Sequence, residues 1–185
     1  MSEKWLVDFM GTEKLYMTSI LAGYETEFEA QVTSIDTNSV VLDRTLFYPL
    51  GGGQNWDTGT IRWDSGELQV SEVRGRNDVQ HFVGEDHGLS VGDTIEGEID
   101  WDRRIAHMRM HTAQHLVSGL VYEMYDGART VGNQIHSDRS RIDFNPVRFD
   151  EEMIDEVFSK ANELVESNLE VTDGIMTREE INQIM

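Results

Sequence analysis

At Asp102 the chain changes period, and that change fixes its fold class. Before it, short segments alternate apolar and polar residues, the pattern of strands with one buried face. Residues 24–35 set Phe28, Ala30 and Val32 on one side and Glu27, Glu29 and Gln31 on the other. After the turn residues Asp36 to Asn38, Val40–Arg44 forms a second strand that can pair with the first as a hairpin. Further strands are expected at Thr58–Trp63, Leu68–Val73, Val79–Val83 and Thr94–Trp101, separated by turn stretches such as Asp64-Ser65-Gly66. From Asp102 a helix runs to about Tyr125, with Leu116, Val117, Leu120, Val121 and Met124 at helical spacing and Gly127 as its stop. Strands at Thr130–His136 and Arg139–Asn145 then precede Pro146. A second helix follows from an Asp150 N-cap to about Ser167, with Ile154, Val157, Phe158, Ala161, Leu164 and Val165 on its core face. A short strand is expected over Glu170–Met176, and Thr177-Arg178-Glu179-Glu180 makes a capping box. The expected fold is α+β. Residues 1–101 form a small antiparallel barrel-like domain, and residues 102–185 a two-layer α/β domain with two long helices on an antiparallel sheet. A well-capped helix that stops at Met185 carries the further expectation that the natural protein continues.

The first helix carries the segment Arg109-Met110-His111-Thr112-Ala113-Gln114-His115. Residues four apart on a helix lie on one face, so His111 and His115 can address a common atom. Such a pair is half of a tetrahedral site, and zinc bound by neutral imidazole is the first candidate. Two solvated histidines would show the same spacing. Thr112 occupies the place where a zinc protease helix needs its glutamate base, which excludes that chemistry. His107 lies one turn earlier, about 80° round the helix from His115, and is a candidate third ligand, as is His136. His81 and His87 fall in the β-rich part and are read as structural or surface residues.

Phe47-Tyr48-Pro49-Leu50-Gly51-Gly52-Gly53-Gln54 breaks the strand rhythm. Successive glycines open backbone conformations closed to other residues and leave N–H groups accessible to a close ligand. Neither dinucleotide-binding nor P-loop spacing fits this loop. A flexible hairpin loop is the alternative, and the aromatic residues before it favour a fixed shape.

The chain has 35 acidic and 15 basic residues, a net charge of -20, and no cysteine. Disulfides and thiolate ligands are therefore excluded within it. The first ten residues lack the apolar run of a signal peptide and no stretch is long enough for a membrane span, so a soluble cytoplasmic protein without a membrane partner is expected. The acidic excess points to a salt-adapted source. Seven arginines between Arg103 and Arg148 face four acidic residues, a local net of +3 that leaves -23 elsewhere. This segment alone is electrostatically fit to approach a phosphate chain, unless its arginines serve to pair with the acidic remainder.

The glycine segment, followed by Asp57-Thr58-Gly59, and the Arg109–His115 segment about fifty residues later together resemble the AlaX family of free-standing alanyl-tRNA editing proteins. That family is related to the editing domain of alanyl-tRNA synthetase and to the second additional domain of threonyl-tRNA synthetase. The resemblance runs from about Thr12 to Met185 and includes Val41–Arg44 and Ser140–Phe144. It implies an aminoacyl-tRNA deacylase that removes serine or glycine from alanine tRNA. A pocket shaped for alanine cannot exclude glycine and rejects an added hydroxyl only about a hundredfold, so a second, hydrolytic site is needed. By position, the resemblance makes His111 and His115 zinc ligands, and gives Gly51, Gly52, Gly53 and Gln54 to the pocket for the aminoacyl group and terminal adenosine. Family members complete the metal site with a C-x-x-x-H pair, which a chain without cysteine does not contain.

Three activities follow as expectations. The first is a trans-editing hydrolase acting on the acceptor end of tRNA, with Arg109 and Arg129 as candidate RNA contacts and no DNA partner. The second is a metal-deficient editing-like module that binds aminoacyl-tRNA ends or a protein without catalysis. The third is a metal-dependent hydrolase of a small ester or amide. The basic segment favours the first two.

Overall fold

The computed structural model describes residues 11–172 and 176–184. The chain forms two compact units, one running through Arg148 and one from Phe149 onward.

The first unit is built on a seven-stranded antiparallel sheet. In chain order its early strands are β1 (Glu13–Lys14), β2 (Glu27–Ile35), β3 (Ser39–Leu42) and β4 (Arg44–Thr45). They are followed by β5 (Gly59–Trp63), β6 (Gly66–Val70), β7 (Glu72–Arg74), β8 (Gln80–Phe82) and β9 (Thr94–Ile99). The sheet runs β6-β5-β9-β2-β3-β8-β7, while β1 and β4 form a separate parallel pair. Alternation in β2 does what its sequence expects: Phe28, Ala30 and Val32 are buried and their neighbours exposed. β3 pairs back on β2 as the expected hairpin, and Ala30 lies opposite Ile95 across β9. Leu42, Phe47, Ile61, Val73 and Ile95 join them in one core. Each fully buried side chain of this kind stabilises the fold by about 1.5–3 kcal/mol.

The expected barrel is not closed. Its edge strands are β6 and β7, which are consecutive in the chain and cannot form a ladder with each other. At Ser71 the chain leaves β5 and joins β8, the Ser71 N–H donating to Phe82 O at 2.9 Å. The strand expected over Leu68–Val73 is thus two strands, one at each edge, and the sheet bends round its core through this covalent link.

Helix α1 (Trp101–Met124) follows directly, capped by Asp100, whose side chain accepts from Arg103 N at 3.1 Å. It ends where Gly127, at φ 73°, donates its N–H to Tyr122 O. The hairpin β10 (Arg129–Ile135) and β11 (Ser140–Asn145) packs against it. Leu120 and Val121 are buried as their spacing demands, but so are Arg104, His107 and Gln114. One face of α1 is therefore buried through polar side chains, which apolar periodicity cannot register.

The second unit holds α2 (Glu151–Glu166) and α3 (Arg178–Ile184). Asp150 caps α2 by accepting from Met153 N at 2.9 Å. Val157 and Ala161 are buried, whereas Phe158 and Val165, assigned to the core face by periodicity, are more than half exposed. The capping box forms as its sequence requires, with Glu180 accepting from Thr177 N and Thr177 Oγ1 accepting from Glu180 N. Of the strand expected over Glu170–Met176, residues 170–172 carry no regular structure and residues 173–175 lie outside the described residues.

Candidate active site

The glycine segment and the histidine helix meet. Gly51 and Gln54 exchange both backbone hydrogen bonds, at 3.2 and 2.9 Å, around Gly52 at φ 59° and Gly53 at φ 83°. Two positive φ values in a two-residue connection are those of a type I′ turn, which explains why glycine fills both central places. The turn is held from behind by β10: Ile135 N donates to Gly53 O at 2.8 Å, and Asn55 N to Ile135 O at 3.2 Å. So fixed, the turn projects the Gln54 side chain inward, where it is 3 % exposed.

Gln54 Oε1 lies 2.7 Å from His111 Nδ1. The amide oxygen can only accept, so His111 carries its proton on Nδ1 and keeps a lone pair on Nε2. Burial, then the neighbouring His115, lowers the His111 pKa and favours this neutral form. The two imidazoles stack at 5.1 Å between centroids and 11° between planes. A neutral ring whose second nitrogen is held by an amide oxygen is chemically suited to a zinc ion. Among the described residues, no three His, Cys, Asp or Glu side chains gather where one ion could be held. His107 is fully buried with neither ring nitrogen partnered, its pKa lowered first by burial and then by Arg103. His136 Nδ1 lies 2.9 Å from Asn55 Nδ2.

Two arginines of the basic segment serve inside, and for Arg104 the alternative of pairing with the acidic remainder holds. Arg103 Nε donates to Trp56 O at 2.9 Å. Arg104 is buried; it pairs with Asp57 and donates to the carbonyls of Leu46 and Gly23. Asp57 in turn accepts from Tyr48 N at 2.7 Å. α1 is thereby fastened to the segment on both sides of the glycine turn. Of the candidate RNA contacts, Arg109 is exposed and Arg129 stands over the Tyr122 ring at 5.8 Å. Arg139 and Arg141 pair with Asp138 and Asp143. His81 is structural, fully buried between Thr45 Oγ1 and Val40 O.

A cavity of about 280 Å³ opens beside this junction, with Tyr16, Tyr48, Gln54, Met108 and His111 among its walls. Burial raises the pKa of both tyrosines, which stay protonated as hydroxyl groups. A larger hollow of about 600 Å³ elsewhere is lined by Glu29, Asp64, Asp93 and Glu96 against Arg62 alone, a poor setting for a phosphate-bearing substrate.

Residues 6–103 match the family described as tRNA synthetases class II (A). The chain is 42 % identical over 179 residues to the alanyl-tRNA editing protein AlaX-M of Methanosarcina barkeri, covering 93 % of this chain and 72 % of that protein. This chain belongs to the AlaX family. AlaX-M of Saccharolobus solfataricus is 39 % identical over 172 residues, which cover 91 % of this chain and 70 % of the relative. The alanine–tRNA ligase of Pyrococcus abyssi is 37 % identical over 188 residues, 98 % of this chain but 20 % of the ligase. Within this AlaX chain the residues singled out by sequence divide into two groups. Gly51–Gln54 and His111, with its stacked neighbour His115, form one continuous site, while His107 is enclosed in the interior. Spacing in the sequence does not mark Gln114, Asn133 or the Arg104–Asp57 pair as site residues. Asp57 belongs to the motif that carried the resemblance, but nothing in the spacing announces Asn133.

Proposed function

We propose that this chain is a trans-editing hydrolase that deacylates alanine tRNA carrying serine or glycine. One observation carries the proposal: the 2.7 Å contact between Gln54 and His111 joins the glycine turn and the histidine helix into one site, in a chain of the AlaX family. The substrate ester is attacked by water, its acyl–oxygen bond breaks, and the products are the free amino acid and the terminal ribose hydroxyl. The N–H groups of Gly52 and Gly53 have no partner among the described residues and can donate to the ester oxygen as charge develops there. Gln54 holds the His111 ring in the tautomer that leaves Nε2 free. Tyr16, Tyr48 and Met108 shape the cavity for a small aminoacyl group, and Arg109 and Arg129 receive backbone phosphates of the acceptor end. His111 and His115 would hold a zinc ion, which supplies polarisation of the ester carbonyl or of the attacking water when bound.

The test is release of serine from Ser-tRNA(Ala) in high-salt buffer, with zinc content determined on the same sample and His111→Ala as control. Hydrolysis lost in H111A is the expected result; equal rates in the two proteins would refute the proposal. A second reading is a module that binds aminoacyl-tRNA ends without hydrolysis, and the absence of a third ligand among the described residues favours it. Binding of the charged tRNA without release of serine would establish that alternative.

A further inference from the structure

The back of the glycine turn is secured by the backbone of strand β10, which does not reach its tip. Ile135 bonds Gly53 and Asn55 through the backbone, and neither bond reaches Gly52. Yet Gly52 stands beside the histidine: a Cβ built on it would lie 4.0 Å from His111 Cε1. Its carbonyl is reached by one side chain from β10, with Asn133 Nδ2 at 3.3 Å from Gly52 O. The second hydrogen of the same amide goes to Gln114 Oε1 on α1, at 3.1 Å. A carbonyl can only accept, so the Asn133 amide has one orientation here, and both of its hydrogens are used. Gln114 is 5 % exposed and lies on α1 between His111 and His115 in sequence.

We propose that Gln114 and Asn133 form a clamp that sets the tip of the Gly51–Gln54 turn against His111. They are positioning residues: neither touches the substrate, and each acts through the turn. The helix that carries the histidines thereby locates the backbone that faces them, through a hydrogen-bonded bridge that acts on the same turn as the Gln54 contact. The catalytic consequence rests on the editing reading above; the geometric claim does not. The Gln114 end of this bridge is the costly one to break, because its acceptor belongs to a buried side chain, whereas the Gly52 carbonyl is open to solvent.

The experiment compares wild type with Asn133→Ala, Gln114→Leu and Gln114→Glu. The last keeps an acceptor for Asn133. Two measurements are made on each: serine release from Ser-tRNA(Ala), and the tautomer of His111 from its ring ¹⁵N shifts in metal-free protein at pH 8. N133A and Q114L are expected to lose at least tenfold in kcat with KM changed less than threefold, and to lose the Nδ1–H preference of His111. Q114E is expected to stay within threefold of wild type in kcat and to keep the tautomer. Variants that melt lower but keep the wild-type tautomer and kcat would overturn the clamp, as would equal behaviour of Q114L and Q114E. If wild type releases no serine, the editing reading falls, and the tautomer comparison alone decides the clamp.

Discussion

Arg104 Nε lies 3.0 Å from Asp57 Oδ2, and the two side chains are 4 % and 0 % exposed. This pair ties the histidine helix to the chain beyond the glycine turn. A charge left alone in such surroundings is strongly destabilising, by about 3–5 kcal/mol, whereas an apolar replacement of both partners is often close to neutral. Arg104→Met and Asp57→Leu are each expected to lose stability in this range. The double variant is expected to lose much less than the sum of the two. Denaturant titration of all three checks this, and strictly additive losses would count against an ion pair.

A second prediction concerns pH. Burial holds His81 neutral and lowers its pKa from 6.5 to about 4. In the unfolded chain the ring takes up a proton first, so the folded state loses stability as pH falls below about 6.5 and the loss levels off below about 4. A shift of this size corresponds to about 3 kcal/mol. Burial lowers the pKa of His107 and His111 too, and both act in the same direction. His81→Gln cannot titrate. Its stability, compared by denaturation at pH 7 and pH 4.5, is expected to fall less between the two than that of wild type. Identical falls would assign the acid sensitivity to other groups.

Much of this architecture is legible in the residues themselves. The alternation of Phe28, Ala30 and Val32, the Asp150 cap and the Thr177–Glu180 box each act over a few neighbouring positions, so local sequence determines them. Ser71 shows where local reading stops. Leu68, Val70 and Val73 mark its neighbourhood as strand, with the alternation slipping by one residue after it, but only the pairing of one half with β5 and of the other with β8 divides that run between two edges of the sheet. The same holds for the site. His111 and His115 announce themselves by spacing, as do three consecutive glycines. Asn133 has no signal in its own strand, because its importance lies in the Gly52 carbonyl and the Gln114 amide, 81 and 19 residues away. For Arg104 the alternative of pairing with the acidic remainder holds, but its sequence does not tell that the carboxylate it meets is the internal one of Asp57.

The two central glycines of the turn differ in a way that mutation can read. Gly52 has open space for a methyl group, its nearest neighbours standing at 3.7 and 4.0 Å, whereas a Cβ at Gly53 would overlap the Asn133 amide. Positive φ alone costs a residue with a Cβ about 1–2 kcal/mol. Gly52→Ala is expected to lose about that much, and Gly53→Ala distinctly more. Thermal melts of the two variants test the order. Asn133→Ala placed in the G53A background is expected to recover part of the difference, since it removes the overlapping amide. Failure to recover any would locate the strain elsewhere.

The net charge of -20 makes the last prediction. Along α2, Glu151, Glu152, Asp155, Glu156, Glu163 and Glu166 are all exposed, and Lys160 is the helix's one basic residue, pairing with Glu156 at 3.3 Å. Like charges so crowded repel over a distance set by the ionic strength, about 10 Å at 0.1 M salt and about 3 Å at 1 M. Raising KCl therefore removes a cost that falls on the compact state more than on the expanded chain. For a chain of this length, about 1 kcal/mol moves the melting temperature by about 2–4 °C. Melting is expected to rise by at least that amount between 0.1 and 2 M KCl. Replacing Glu151, Glu152, Asp155, Glu163 and Glu166 by glutamine should weaken the rise, because the repulsion being screened is then smaller. A melting temperature that stays flat or falls with KCl would remove the case for a salt-adapted protein. The acidic surface would then be explained by a basic partner, which the same titration would detect as a melting temperature raised by a polycation at low salt.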